Sequence, residues 1–311
     1  MADKKKLVVI CGPTATGKTS LSIDLAKNYD GEIISADSIQ VYRKLDIGSA
    51  KATDSEQAMV RHHLIDILDP REEYNVQRFC SLAKETVEDI GSRGKLPFIV
   101  GGTGLYIESF INDTSFSRQP DVDEIRTALN RRLEDVGRER MYEQLREIDP
   151  EYARKVHPNN TIRVLRAIEV YMMTGHTMTY QIAHSRPADR PYDTLLIGIT
   201  YHDRQKLYDR INLRIDLMLN AGLLNEARYV YNNREEFTTS ANAIGYKEFF
   251  PYFEGTSTLE ECTEELKKAS RHYAKRQLTW FNRMKDIIWI HPDTENLFDT
   301  ADQLVQQFIS R

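Results

Sequence analysis

The stretch that decides the fold is Gly12-Pro13-Thr14-Ala15-Thr16-Gly17-Lys18-Thr19, directly behind the apolar run Leu7-Val8-Val9-Ile10-Cys11. It fits the pattern G-x-x-x-x-G-K-[ST] in the context that pattern needs, a strand, then a glycine loop, then the start of a helix. Such a loop turns backbone N–H groups inward at a helix N-terminus, where they cradle phosphate oxygens. Lys18 is placed to reach a terminal phosphate, and Thr19 to offer its hydroxyl to Mg²⁺. A diphosphate or triphosphate is the first ligand to consider, and the cradle alone does not choose between them.

Working outward, Glu32-Ile33-Ile34-Ser35-Ala36 reads as a second strand and Asp37-Ser38-Ile39-Gln40-Val41-Tyr42 as the loop at its end. Ligands of parallel α/β sheets collect at such carboxyl ends. Asp37 is therefore a candidate general base beside the phosphate site. It could equally cap a turn or act as an outer partner of a magnesium ion. Pro97-Phe98-Ile99-Val100 gives a third strand running into the tight turn Gly101-Gly102-Thr103-Gly104, and Thr194 to Thr200 gives another buried parallel strand.

The segment between Asp113 and about Arg190 interrupts this alternation. Its helical stretches, Val122 to Arg132, Arg138 to Ile148 and Thr161 to Thr174, contain no strand runs and carry nearly balanced charge. It reads as a helical insertion, with a core of 1–113 and 191–311 and an inserted unit of 114–190. Farther on, Asp203 to Ala221 forms a capped helix with Arg210 and Arg214 one turn apart. Those arginines could pair with Asp209 or Asp216, or neutralise a departing diphosphate with their guanidinium forks.

Composition bounds the class. The chain has 311 residues, 41% of them hydrophobic, which suffices for a large core. Its three cysteines are scattered, so neither a disulfide framework nor a zinc site is indicated. Adjacent His62 and His63 lack further ligands nearby and read as fold-supporting. No run is long enough to span a membrane, and the N-terminus reads as a strand rather than a signal peptide, as expected of a cytoplasmic protein. The formal net charge of −5 conceals a local reversal: Lys267 to Lys285 holds seven Lys or Arg and no acid. Thr258 and Glu261 form a capping box for that helix. Lys268, Arg271, Lys275 and Arg276 recur at helical spacing, either as complement to the helix dipole or as a nucleic-acid contact.

Taken together, GPTATGKT, SADSIQVYRKLDIGSAK (Ser35 to Lys51), HHLIDI (His62 to Ile67), GGTGLY (Gly101 to Tyr106), RVLRAIEVY (Arg163 to Tyr171), AIGYKE (Ala243 to Glu248) and YAKRQLTWF (Tyr273 to Phe281) closely resemble the bacterial tRNA isopentenyltransferase family, in collinear order over nearly the whole chain. The resemblance implies an α/β fold with a P-loop NTPase-like parallel sheet and an inserted all-helical subdomain. It also implies transfer of a dimethylallyl group from dimethylallyl diphosphate to the exocyclic amine of the adenine 3′ of the anticodon, with Mg²⁺.

Carried over residue by residue, Gly12 to Thr19 bind diphosphate, Thr19 holds the metal, and Asp37, Thr103 and an arginine from Arg210 and Arg214 serve catalysis. The tRNA anticodon stem-loop is expected at Asp37, Ser38, Ile39, Gln40, Thr103, Arg126, Ile162, Arg163, Val164, Leu165, Arg166, Asn242, Gly245, Tyr246 and Lys247, and along the basic helix. Tyr246 could stack on a base or belong to the core. A monomer is expected. The alternatives are a P-loop kinase, prenylation of a free adenine nucleotide, and RNA binding without catalysis; whether the loop also admits ATP stays open.

Overall fold

The protein is described by a computed structural model covering residues 4–115, 122–185, 189–237 and 239–311. Its first strand, β1 (Lys5–Cys11), shows why the fold is layered: Leu7, Val9 and Cys11 belong to one apolar cluster and Val8 and Ile10 to the other. Successive strand residues point to opposite faces, so a strand buried on both sides must be apolar throughout. Continuing in chain order, α1 is Lys18–Asn28, β2 Gly31–Ser35, α2 Asp54–Met59, β3 His62–His63, α3 Val76–Ser92, β4 Leu96–Gly101 and α4 Gly104–Ile111. After the insertion come β5 (Tyr192–Ile199), α9 (Arg204–Asn220), α10 (Leu223–Asn232), α11 (Phe250–Phe253), α12 (Leu259–Phe281), β6 (Ile287–Ile290) and α13 (Leu297–Ile309).

Among the described residues the six strands form one parallel sheet in the order β3-β2-β4-β1-β5-β6. Helices α1 and α13 cover one face, and α3, α4, α9, α10 and α12 contribute to the cluster on the other. The α/β parallel sheet read from the sequence is the observed fold. Two edge strands went unread: β3 and β6 have two and four residues, too few to display a period. His63 stands on β3 with Nε2 2.7 Å from a Glu32 oxygen, and Arg93 also holds Glu32. The Arg93 hydrogen bond is the main reason that Glu32 is held down at about 2. These histidines therefore tie the sheet edge, and among the described residues no group of three His, Cys, Asp or Glu could hold a metal.

Residues 112–190 form a compact unit separate from the one made by 1–111 and 191–311. The described part is helical: α5 (Val122–Ile148), α6 (Pro150–Ala153), α7 (Thr161–Thr174) and α8 (Met178–His184). Non-helical backbone at Gly137 (φ 77°) divides α5 between the two stretches expected from sequence. The unit has its own core of Leu129, Met141, Leu145, Val164 and Ile168. Asn160 caps α7 by accepting from Arg163 N, a contact worth about 1 kcal/mol.

The sheet's carboxyl edge is tightly built. Gly12 has φ +139°, and an added Cβ would lie 2.3 Å from the Ile199 carbonyl oxygen. Gly12→Ala therefore combines backbone strain with a clash against β5, and should cost at least about 2 kcal/mol. A drop in the urea midpoint without a change in slope would show it; an unchanged midpoint would mean the loop yields freely.

Candidate active site

Between β1 and α1, the loop Gly12–Thr19 begins its helix without a side-chain cap, and no acidic residue stands in the first turn. The first N–H groups of a helix have no intrahelical acceptor, so they are left for an anion. Left-handed backbone at Ala15 (φ 65°) and Gly17 (φ 94°) turns the loop around that point. The Thr16 hydroxyl donates to the Pro13 carbonyl at 3.0 Å, and Lys18 Nζ donates to the same oxygen at 2.5 Å.

Helix α9 brings its arginines onto this loop. Asp203 caps it, its side-chain oxygen accepting from Gln205 N, and Leu207, Ile211 and Ile215 form its buried stripe. Arg214 Nη1 donates to the Thr14 hydroxyl at 2.7 Å, and Arg210 Nε to the Ala15 carbonyl at 2.9 Å. Asp209 instead takes Gln205 and Asp216 takes Lys267, so the arginines are not paired with those acids. Burial, then the charge of Arg214, brings the Lys18 ammonium from its ordinary value down to about 7. Two basic groups crowded together with little water favour an anion between them, as a phosphate group would be.

Asp37 follows β2. Its Oδ1 accepts from Ile39 N at 2.8 Å and Gln40 N at 3.2 Å, which fixes the carboxylate and leaves Oδ2 without a hydrogen-bond partner among the described residues. Burial raises its pKa, against the pull of those two amides and of Lys18 and Arg214. One oxygen of Asp37 caps the turn, and the other is the one that a general-base role would use. Across the sheet edge, Thr103 N donates to the Ala36 carbonyl at 3.4 Å. Among the described residues the buried Thr103 hydroxyl meets no partner in hydrogen-bonding geometry, with the Tyr273 phenol beside it.

The loop after Asp37 is held by Gln40, which the resemblance placed at the tRNA, and by Glu226 and Lys51, which sequence reasoning did not single out. Gln40 accepts from the Ser35 hydroxyl at 2.8 Å and donates to the Ser49 and Ala50 carbonyls, both at 3.2 Å. Its amide is thereby committed to the loop, while Ser38 and Ile39 are half-buried beside it. Glu226 on α10 accepts from the backbone N–H groups of Asp46, Ile47 and Gly48 at 2.8 to 2.9 Å. Lys51 joins Tyr42 O, Asp46 and Asp66.

Tyr246 settles on the core side of its two readings. It is 0% exposed and donates to Glu226 Oε1 at 2.8 Å, so stacking on a base is closed to it in this conformation. Buried Gly245 lies against Gly48, whereas Asn242 and Lys247 are exposed.

In the helical unit, Val164 is 1% exposed and packs in the core, which closes its side chain to the tRNA contact that the resemblance implied, while Leu165 is half-buried against that core. Helical periodicity turns them inward while Ile162, 81% exposed, and Arg163 face out. Arg126 and Arg166 both donate to Glu169 Oε1, at 3.1 and 2.5 Å.

On α12 the capping box of Thr258 and Glu261 is present. Lys268 pairs with Glu265 at 3.0 Å, and Arg271 donates to the Asn212 side chain at 2.7 Å, while Lys275 and Arg276 are exposed. The opposite face carries Gln277, 6% exposed, bonded to both Thr14 N and Gly102 O. Its signal in the sequence was a polar residue at core spacing, eleven after Leu266 and four before Phe281.

For Mg²⁺, the residues fit in kind. The ion keeps near-octahedral oxygen coordination, usually from one or two protein oxygens with substrate phosphates and water. The Thr19 hydroxyl, half-buried and without a hydrogen-bond partner among the described residues, would supply one.

Comparison with known proteins shows the family of the chain. The family model described as IPP transferase matches residues 40–284, and that described as isopentenyl transferase matches 5–69. The tRNA dimethylallyltransferase of Anoxybacillus flavithermus is 47% identical over 98% of this chain and 96% of its own, and that of Bacillus subtilis 45% identical over 92% and 90%. The crystal structure of a tRNA isopentenylpyrophosphate transferase from Bacillus halodurans superposes with TM-score 0.72 at 43% identity, covering 99% of this chain and 96% of that one. A eukaryotic dimethylallyltransferase acting on tRNA gives TM-score 0.81 at 33% identity, covering 98% and 80%. Strand, phosphate loop, aspartate and arginine helix thus occur in a chain that belongs to the tRNA dimethylallyltransferase family.

Proposed function

We propose that this protein transfers the dimethylallyl group of dimethylallyl diphosphate to the exocyclic amine of the adenine 3′ of the anticodon in tRNA, releasing diphosphate. The observation that carries the reading is the site's charge: Lys18 and Arg214 converge on an uncapped helix start with the fixed, half-free carboxylate of Asp37 within electrostatic reach. The C–O bond of the donor breaks with its electron pair going to the diphosphate. Lys18, Arg214, Arg210 and the loop amides of Gly12 to Thr19 stabilise that growing charge. The amine lone pair forms the new C–N bond, and its proton passes to Asp37 Oδ2. Thr103 is the contact shared by donor and nucleotide. Mg²⁺, held through Thr19, would add charge neutralisation on the diphosphate.

An adenine inside an anticodon loop must be extruded to reach such a site. Ser38, Asn242, Lys247 and, on the helical unit, Arg126, Ile162, Arg163 and Arg166 supply polar and exposed groups for the RNA. The exposed basic residues of α12 add backbone contacts. Neutralising Lys268, Arg271, Lys275 and Arg276 together should weaken tRNA binding and flatten its salt dependence, each lost phosphate contact changing the slope of log affinity against log salt by about 0.7–0.9. An unchanged slope in a folded variant would make these residues a solvated helix face.

The protein is expected to work in the cytoplasm as a monomer; no helix among the described residues is long and apolar enough to cross a membrane. Incubating it with radiolabelled dimethylallyl diphosphate and, in parallel, unmodified tRNA, AMP and ATP tests the whole reading. Label should enter tRNA without ATP. Label in AMP in preference to tRNA would make the protein a free-nucleotide prenyltransferase, and phosphate transfer from ATP would make it a kinase.

A further inference from the structure

The amide of Gln277 is buried on α12 between the loops that follow β1 and β4, two neighbouring strands of the sheet. Its Oε1 accepts from Thr14 N at 3.0 Å, and its Nε2 donates to the Gly102 carbonyl at 2.9 Å. A backbone N–H only donates and a backbone C=O only accepts, so the amide can face one way only. The approach is close enough that a Cβ added to Gly102 would lie 2.2 Å from Nε2. Neighbouring residues of the same helix face continue the contact. Tyr273 lies beside Thr103, and the indole of Trp280 stands 2.5 Å from where a Cβ on Gly104 would be.

Each loop carries a different half of the proposed reaction. Thr14 receives Arg214 on its hydroxyl and lies within the phosphate cradle, while Gly102 precedes Thr103, whose N–H holds the Ala36 carbonyl next to Asp37. We infer that Gln277 is a positioning residue for group transfer, fixing the spacing between the loop that grips the leaving diphosphate and the turn that presents Thr103 and Asp37 to the acceptor. This rests on the function proposed above. A neutral amide suits the place, since it satisfies a donor and an acceptor at once without bringing charge toward an anionic substrate. Pure packing would ask only for a side chain of that volume.

Misplacement of reacting groups by about 1 Å can cost 10²-fold in rate. Gln277→Leu keeps the volume and removes both bonds; kcat for tRNA prenylation should fall about 30- to 100-fold, with the KM for tRNA within about twofold of wild type. Gln277→Glu discriminates further. As a carboxylate it can accept from Thr14 N but faces the Gly102 carbonyl with negative charge; as a protonated acid it can serve both partners. Its rate relative to wild type should therefore rise at least tenfold between about pH 8.5 and pH 6, a range in which a buried glutamate can take up its proton.

Circular dichroism and melting accompany both variants, and if Gln277→Leu does not fold the Glu series decides alone. A folded Leu variant with wild-type kcat, or a Glu-to-wild-type ratio that is flat with pH, would overturn the clamp while leaving the transfer reaction standing. Absence of transfer by the wild-type protein would overturn both.

Discussion

Asp37→Asn should lower the single-turnover rate of dimethylallyl transfer by about 10²–10⁴ while leaving donor binding nearly intact. The separation of effects follows from the two carboxylate oxygens. Oδ1 accepts from Ile39 N and Gln40 N, and the amide oxygen of asparagine can keep both bonds, so the turn survives. What is lost is the second oxygen as a proton acceptor. Rapid-quench measurement of labelled tRNA, beside affinity for a non-reactive donor analogue, checks this; a wild-type rate would reduce Asp37 to a turn cap. The same residue sets a pH limb. Burial raises the Asp37 pKa, so the base form is lost on acidification at a higher pH than for an ordinary carboxylate. The rate should fall on the acid side through that raised value, and an acid limb at or below the usual carboxylate range would contradict the assignment.

Lys18→Met and Arg214→Ala should each reduce kcat/KM for the donor by about 10²–10³, the magnitude seen when one preorganised charge-stabilising group is removed. Both side chains converge on the phosphate loop and away from bulk water, where an interaction with developing charge is strong. Arg210→Ala should cost less, because Arg210 is exposed and its Nε is already given to the Ala15 carbonyl. Arg214→Lys should not restore activity, since a lysine cannot reproduce the guanidinium fork that reaches Thr14 and a phosphate together. Steady-state kinetics at saturating tRNA and Mg²⁺ provide the comparison. Normal turnover in both Lys18→Met and Arg214→Ala would mean that the loop binds a ligand without taking part in the reaction.

The parallel sheet was legible because its central strands are short apolar runs ending in glycine turns, a pattern set by local chain chemistry. The caps of α7, α9 and α12 were likewise written in single residues, Asn160, Asp203 and Thr258. Arg210 and Arg214 show the boundary. Their spacing placed them on one side of a helix, but nearby Asp209 and Asp216 offered equally plausible partners until the packing of α9 turned them toward Thr14 and Ala15. For Val164 and Leu165, a motif shared along the chain said nothing about which side chains of α7 turn inward.

By itself, then, the sequence determined the phosphate loop, the all-parallel α/β core, the helical insertion and the place of Asp37 at a strand end, because each depends on residue type and spacing within a short window. Tertiary structure alone decided which long-range partners meet. It seated Tyr246 on Glu226 inside the core, committed Gln40 to the Ser49 and Ala50 carbonyls, and laid Gln277 across Thr14 and Gly102. The physical reason is that a buried polar side chain must find its hydrogen-bond partners wherever packing brings them, and those partners lie as far as 263 residues away in the chain.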